Sequence, residues 1–318
     1  MSAAATGDDR RVAAVDVGTN TVLLLIATGD ERSPRAVLER ATITRLGEGV
    51  DRSGRLSTAA VERTVACLSS YGATIRQQGV TAIDVVCTSA ARDAENGADF
   101  IALAERAIGA RPRIIDGEEE ARLTFEGALS GLTIDGEVTV FDIGGGSTEI
   151  IRGAPAGQGR RVTTAVSLDI GSVRLTERHV RTDPPAEDEL ERVRNDIKRA
   201  LSTLPQFATS TLVGVAGTIT TLAAIEQGLD QYDSSRVHGS RLSRTTVSAL
   251  ERRLSSLPLD ERRALSGLEP ARADVIVAGA IIASEVLAWA RADELVVSDR
   301  GVRWGLARAL LGRAPSHG

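Results

Sequence analysis

Lysine is nearly missing from this chain: of its 38 basic side chains only Lys198 is an ammonium. The positive charge is therefore guanidinium, which meets phosphate oxygens with a planar fork where lysine offers a point charge. A biased genomic base composition produces the same pattern, so the feature carries little weight alone. Aromatic residues make up 3% of the 318 positions, which leaves little material for stacking nucleic-acid bases on aromatic platforms. A net charge of −5 also argues against general nucleic-acid affinity. Cys67 and Cys87 are the only cysteines, giving neither a disulfide framework nor zinc-ligand spacing. The longest apolar stretch, Val275 to Ala290, is interrupted by Ser284 and Glu285 and is too short and polar to span a bilayer. The opening residues, MSAAATGDDRR, lack the basic start and apolar segment of a signal peptide, so a cytoplasmic location without membrane attachment is expected.

What is present is an ordinary soluble composition, 42% apolar and 25% charged, on a chain long enough to bury a large core and to split into two domains. The stretch Val138-Thr-Val-Phe-Asp-Ile-Gly-Gly-Gly-Ser-Thr-Glu-Ile-Ile151 places a glycine turn between two apolar runs that read as buried strands. Glycine tolerates φ > 0 and a close ligand, so Gly144, Gly145, Gly146 and Ser147 are expected to turn backbone N–H groups toward an anion. Asp142 and Glu149 flank the turn, and amides for phosphate oxygens beside carboxylates for Mg²⁺ suit a metal-bound phosphate chain. The plainer reading is a tight hairpin with solvated acids.

A second copy of the pattern favours phosphate. Val12 to Ile26 repeats the grammar of strand, Asp16, Gly18, hydroxyl and amide residues including Asn20 and Thr21, then strand. Asp16 and Asp142 are 126 residues apart, too far for a solenoid period and suited to two similar domains.

Periodicity supplies the surroundings. A β-meander is expected from Val12 to about Leu46, with a helix over Leu56–Gln78 capped by Ser57 or Thr58. Ile83–Val86 reads as a buried strand, and Thr88–Asn96 as a polar turn opening a helix that runs to about Ile108. Arg92, near that helix start, is either an anion ligand or a surface arginine paired with Asp93 or Glu95. After a short strand at Arg113–Ile115, Glu118–Leu129 reads as a helix with three acids in its first turn. Such acids complement the helix dipole, yet 100° per residue points them in different directions, so one can face a site while another meets water.

Further on, Leu212–Ile225 reads as strand, Gly217-Thr218 turn and helix, a third and weaker phosphate loop. Gln231–Leu242 is expected to be a loop in which His238 is a hydrogen-bonded residue and not a metal ligand. Arg272–Ala288 reads as a buried central helix. Asp299 and Arg303 either close the site or cap the last helix. Residues 1–10 and 315–318 read as frayed tails.

The order of motifs resembles that of the exopolyphosphatase and guanosine pentaphosphate phosphohydrolase family, within the actin-like, sugar kinase and Hsp70 ATPase superfamily. The matching stretches are Asp16-Val-Gly-Thr-Asn-Thr, Thr88-Ser-Ala-Ala-Arg-Asp-Ala, Gly117-Glu-Glu-Glu-Ala-Arg, Asp142-Ile-Gly-Gly-Gly-Ser-Thr-Glu, Ala216-Gly-Thr, Arg236-Val-His-Gly, Arg272-Ala-Asp-Val-Ile and Ser298-Asp-Arg-Gly. The resemblance implies an α/β protein of two ribonuclease-H-like domains, residues 1–125 completed by the C-terminal helix 302–318, and residues 126–301, with the active site in the cleft between them. It implies Mg²⁺-dependent release, with Mn²⁺ as an alternative, of terminal phosphate from inorganic polyphosphate or of the 5′ γ-phosphate from guanosine pentaphosphate. It places the general base on Glu120 and suggests a homodimer. On this reading Asn20, Thr21, Arg92, Gly144 to Ser147, Gly217, Thr218 and Arg272 hold phosphate, and Asp142 and Glu149 hold the metal with Asp16 as an outer partner. Longer family members carry a further C-terminal helical region, so a preference for short polyphosphate is expected here. Two other functions fit the same residues: an ATP-dependent kinase of the superfamily, and a non-catalytic sensor of guanosine tetra- or pentaphosphate or of polyphosphate. Retention of Glu120, Asp142 and Glu149 together favours the enzyme.

Overall fold

The computed structural model describes residues 10–156, 159–205 and 210–313; of the tails read from the sequence at 1–10 and 315–318 only Arg10 lies within them, and its Nη1 donates to the Arg313 carbonyl. The chain forms two compact units, residues 1–131 with 302–318, and residues 132–301.

The first unit opens with three β-rich runs, β1 (Val12–Val17), β2 (Thr21–Gly29) and β3 (Pro34–Ile43), joined by tight turns into an antiparallel meander. After α1 (Val50–Ser53), the Ser57 side chain accepts from the Ala60 amide and starts α2 (Thr58–Gln77). The chain crosses back to β4 (Ala82–Cys87), parallel to β1, then passes through α3 (Ser89–Asp93) and α4 (Gly97–Ile108) to β5 (Arg113–Ile114) and α5 (Gly117–Ala128). The sheet order is β3-β2-β1-β4-β5.

The second unit repeats this layout. A meander of β6 (Val138–Ile143), β7 (Thr148–Ala156) and β8 (Gly159–Leu168) is followed by α6 (Ser172–His179) and α7 (Glu187–Ser202). Next come β9 (Thr211–Val215), parallel to β6, α8 (Ala216–Glu226), α9 (Ser234–Val237), β10 (Arg241–Ser243), α10 (Arg244–Ser256), α11 (Leu259–Arg263), α12 (Ile276–Trp289) and β11 (Glu294–Val297). Its order, β8-β7-β6-β9-β11, matches the first sheet strand for strand, and β10 is added at the edge. The last helix, α13 (Val302–Gly312), returns to the first unit.

Period-two alternation buries both faces of the first sheet. Val12 and Ala14, with Leu25 and Ala27, face Leu123 of α5 and Trp304, Leu306 and Leu310 of α13. Ala13, Val15 and Val17, with Val22, Leu24 and Ile26, face Leu68 and Tyr71 of α2 and Phe100 and Ala104 of α4. Each such valine, leucine, isoleucine or phenylalanine contributes about 1.5–3 kcal/mol when fully buried. In the second unit Phe141, Ile143 and Ile150 pack with Leu175, Val193, Leu222 and Ile281.

Three segments differ from the sequence reading. The polar turn at Thr88–Asn96 holds a helical turn of its own, and α4 starts separately because Ala94 is extended and Gly97 lies against the Ala91 carbonyl. The loop at Gln231–Leu242 contains α9, capped by Asp233, and the edge strand β10. The central helix starts at Ile276 instead of Arg272, because Pro270 opens a separate 3-10 turn over Pro270–Arg272.

Candidate active site

The turn between β6 and β7 is a hairpin closed by the Gly144 amide donating to the Ser147 carbonyl at 3.0 Å. The carbonyls that follow are taken by α6. Gly144 accepts from Ser172 N–H (3.0 Å), Gly145 from Val173 and Arg174 N–H (2.9 and 3.0 Å), and Gly146 from Arg174 Nε (2.6 Å). Among the described residues no backbone or side-chain acceptor meets the amides of Gly145, Gly146 and Ser147. A loop with its carbonyls drawn inward and its amides left over is suited to an anion. Two points of the sequence reading change. None of Gly144, Gly145 and Gly146 has φ > 0, and the Gly144 amide is spent inside the turn. The requirement for glycine is close approach: a Cβ on Gly171, just ahead of α6, would lie 2.3 Å from the Gly145 carbonyl oxygen.

Asp142 and Glu149 are directly opposite on β6 and β7, so their side chains share one face of the sheet. Asp142 is half-buried and Glu149 is 1% exposed. Glu149 faces Ser167 across β7 and β8 and accepts from Ser167 Oγ at 2.7 Å. A Cβ on Gly301 would sit 3.9 Å from Asp142 Oδ2, so the turn after β11 closes on this carboxylate. Among the described residues no group of three or more acidic, histidine or cysteine side chains gathers as a metal cage. Two neighbouring hard oxygen ligands fit Mg²⁺, which is commonly held by one or two carboxylates and completed by phosphate and water.

In the first unit the β1–β2 turn is built alike. Gly18 N–H donates to the Thr21 carbonyl at 3.0 Å, Thr19 accepts from Gly47 N–H (2.9 Å), and Asn20 accepts from Thr44 and Arg45 N–H (both 3.0 Å). Thr19 Oγ1 is 2.7 Å from Ser89 Oγ, and Asn20 is buried. Asp16 is half-buried at the end of β1, opposite Leu23 on β2 and Val86 on β4. Burial, and after it the Asp16 charge, raises the thiol pKa of neighbouring Cys87, which leaves it a protonated core residue.

The three acids of α5 separate as the helical rotation requires. Asp116 caps the helix by accepting from Glu119 N–H, Glu118 is exposed, and Glu119 pairs with Arg113 at 2.7 Å. Glu120 is 7% exposed and meets Arg92 Nη1 at 2.9 Å. The sequence left Arg92 open between an anion ligand and a partner of Asp93 or Glu95; its short contact is Glu120, with Asp93 at 4.0 Å.

In the third loop, Ala216 takes φ +70° at the strand–helix junction, and the Arg272 guanidinium rests on Gly217, with Nη1 1.8 Å from where a Cβ would be. Burial pushes Arg272 below the ordinary arginine value, against Glu269 and Tyr232. Thr218 is buried against Gly279 of α12. His238 is the hydrogen-bonded residue expected, with Nδ1 3.2 Å from Asp299 and 3.4 Å from Ser298 Oγ. Arg303 pairs with Glu39 at 2.8 Å.

Sequence reasoning missed Ser167, Gly171, Arg174 and the Ile115 carbonyl that Arg92 also touches. Ser167 was findable only through the β7–β8 register, and the others had no local signal.

Two α/β sheets of one strand order, each opening on an amide-lined hairpin preceded by aspartate, define the class as the actin-like ATPase superfamily. Residues 25–314 match the Ppx/GppA phosphatase family, and the chain belongs to it; phosphatases of this family are in general metal-dependent. Exopolyphosphatase 2 of Mycobacterium tuberculosis is 39% identical over 320 aligned residues, covering 95% of this chain and 99% of that protein. The crystal structure of an exopolyphosphatase-like protein superposes with a TM-score of 0.88 at 35% identity, covering 95% of this chain and 97% of the other. The Aquifex aeolicus member of the family superposes with a TM-score of 0.80 at 35% identity, covering 96% and 99%. Among the described residues no helix is long and apolar enough to cross a membrane.

Proposed function

We infer that the chain is an exopolyphosphatase that hydrolyses the terminal phosphoanhydride bond of inorganic polyphosphate and releases orthophosphate. The observation that carries this reading is the second hairpin, where amides without protein acceptors stand beside the cross-strand carboxylates Asp142 and Glu149. The likeness to Exopolyphosphatase 2 along nearly the whole chain supports it.

A polyphosphate end repels hydroxide, so its oxygens must be neutralised and a neutral water positioned. The amides of Gly145, Gly146 and Ser147 are assigned to phosphate oxygens, and so, on the hairpin of the first unit, are Asn20 and Thr21. Asp142 and Glu149 are assigned to Mg²⁺. A Mg²⁺ ion bound there supplies positive charge to the phosphate oxygens. Glu120 is assigned to accept the proton of the attacking water. Its burial favours that role, because a carboxylate withdrawn from bulk water acts on a bound water without competition from solvent.

General-base assistance is worth about 10²- to 10⁴-fold. Glu120→Gln is expected to lose turnover on that scale and to keep substrate affinity, checked by phosphate release and by binding of polyphosphate. Turnover at the wild-type rate would remove Glu120 from the chemistry. A panel of polyphosphates, guanosine pentaphosphate and ATP with Mg²⁺ or Mn²⁺ tests the substrate class, and binding without phosphate release would favour the sensor.

A further inference from the structure

We propose that Arg92 is a positioning residue for the carboxylate of Glu120 and does not hold substrate phosphate; this rests on the assignment of Glu120 as the base. Arg92 Nη1 lies 2.9 Å from Glu120 Oε2 and 3.0 Å from the Ile115 carbonyl oxygen. A guanidinium Nη carries two hydrogens, and these two acceptors use both. The Ile115 carbonyl precedes Asp116, the cap of α5, so one nitrogen ties down the start of the helix and the acid one turn into it. Arg92 is itself anchored, since its backbone amide donates to the Thr88 carbonyl at 3.1 Å, and its side chain is 26% exposed.

An arginine in contact with a carboxylate favours the ionised form. Arg92 thus keeps Glu120 deprotonated, and able to accept a proton, to lower pH than burial alone would allow. Of the neighbouring charges, Asp93 also borders Arg92, whereas Glu119, Arg303 and Arg308 are directed elsewhere. Asp93 on α3 lies 4.0 Å from Arg92 Nε, Glu119 is held by Arg113 of β5, and Glu118 is exposed. On α13, Arg303 goes to Glu39 and Arg308 donates to the Glu126 carbonyl. A phosphate ligand would act mainly on substrate affinity, whereas a base-positioning cation acts on turnover and its pH dependence.

The test measures kcat and KM for polyphosphate hydrolysis across pH in the full chain, for the wild type, Arg92→Met, Arg92→Lys, Glu120→Gln and the double variant Arg92→Met/Glu120→Gln. Loss of the cation raises the carboxyl pKa, so the acid limb of kcat in Arg92→Met should move up by about one pH unit or more. The accompanying fall in kcat should be about 10- to 100-fold with KM changed less than about threefold. Arg92→Lys should return the acid limb toward wild type, and it also serves as the readout if Arg92→Met does not fold. The double variant should be no slower than Glu120→Gln alone, because the two residues act as one unit. A KM raised more than about tenfold with the acid limb unmoved would make Arg92 a phosphate ligand and overturn this inference while leaving the base in place. Wild-type turnover in Glu120→Gln would instead remove the base, and Arg92's role with it.

Discussion

The hairpins at Gly18–Thr21 and Gly144–Ser147 share a backbone and differ in what flanks it. In each, the first glycine amide closes the turn at 3.0 Å. In each, the next two carbonyls are drawn back into the same unit, Thr19 and Asn20 by residues 44–47, and Gly145 and Gly146 by α6. In each, an aspartate is the second-last residue of the incoming strand. Across the ladder from Asp142 stands Glu149, and across from Asp16 stands Leu23. The turn backbone is therefore present twice, whereas the cross-strand carboxylate pair occurs only in the second copy. The two halves share the part made of peptide groups, and the part made of side chains belongs to one of them.

The largest expected effect comes from making the second hairpin like the first. Metal stabilisation of a transition state is worth several kcal/mol, so Glu149→Leu should lower Mg²⁺-dependent phosphate release by about 10³-fold. Its melting temperature should hold or rise, since a buried carboxylate gives way to an apolar side chain. The reverse change, Leu23→Glu, should add no metal response. If Glu149→Leu keeps its activity under Mg²⁺ titration, the contrast between the hairpins has no chemical meaning.

A smaller effect separates the supports behind the two turns. A Cβ on Gly171 would meet backbone at 2.3 Å, and one on Gly47 would meet the Thr19 methyl at 2.3 Å. Backbone cannot step aside as a side-chain end can. Gly171→Ala should therefore cost about 10²-fold in turnover and about 1–3 kcal/mol in a denaturant melt, and Gly47→Ala less than about tenfold in turnover. Equal losses would show that both turns are held with the same rigidity.

The smallest effect is in acid. In the second unit Glu189, Asp196 and Asp233 are held below the ordinary carboxylate range. Burial raises Glu189, but hydrogen bonds from Thr182, Ala186 and Arg181 outweigh it; burial raises Asp196, but His179 and Arg178 outweigh it. Depressed values stabilise the fold above the unfolded range of about 4 and lose that contribution as pH falls through the folded values. Hydrogen exchange at about pH 5 and about pH 3 should show protection falling around α7, which carries Glu189 and Asp196; unchanged protection there would contradict this.

Much of this architecture could be read without coordinates, because strand alternation and glycine turns are local. A cap at Ser57 or Thr58, the hairpins and the divergence of the three acids of α5 follow from spacing within a few residues, whereas Glu120 was singled out among them by the family resemblance alone. What was illegible depends on contacts far apart in the chain. The split between α3 and α4 reflects Gly97 lying on the Ala91 carbonyl, and the start of α12 was hidden by the separate turn at Pro270. Arg92 reaches Glu120 across 28 positions, whereas the sequence offered only Asp93 and Glu95 nearby. Ser167 reaches Glu149 only through a ladder register that no single strand reveals.

The placement of α13 bears on how the protein comes into being. Trp304, Leu306 and Leu310 join Leu123 of α5 in covering Val12 and Ala14, so that side of the opening strands is fully shielded from water only once the closing helix has been made. The second unit, contiguous from 132 to 301, has all its parts earlier. In synthesis from the N-terminus, the half that begins first is the half that finishes last, and a nascent chain stalled before Val302 exposes a greasy sheet face to chaperones.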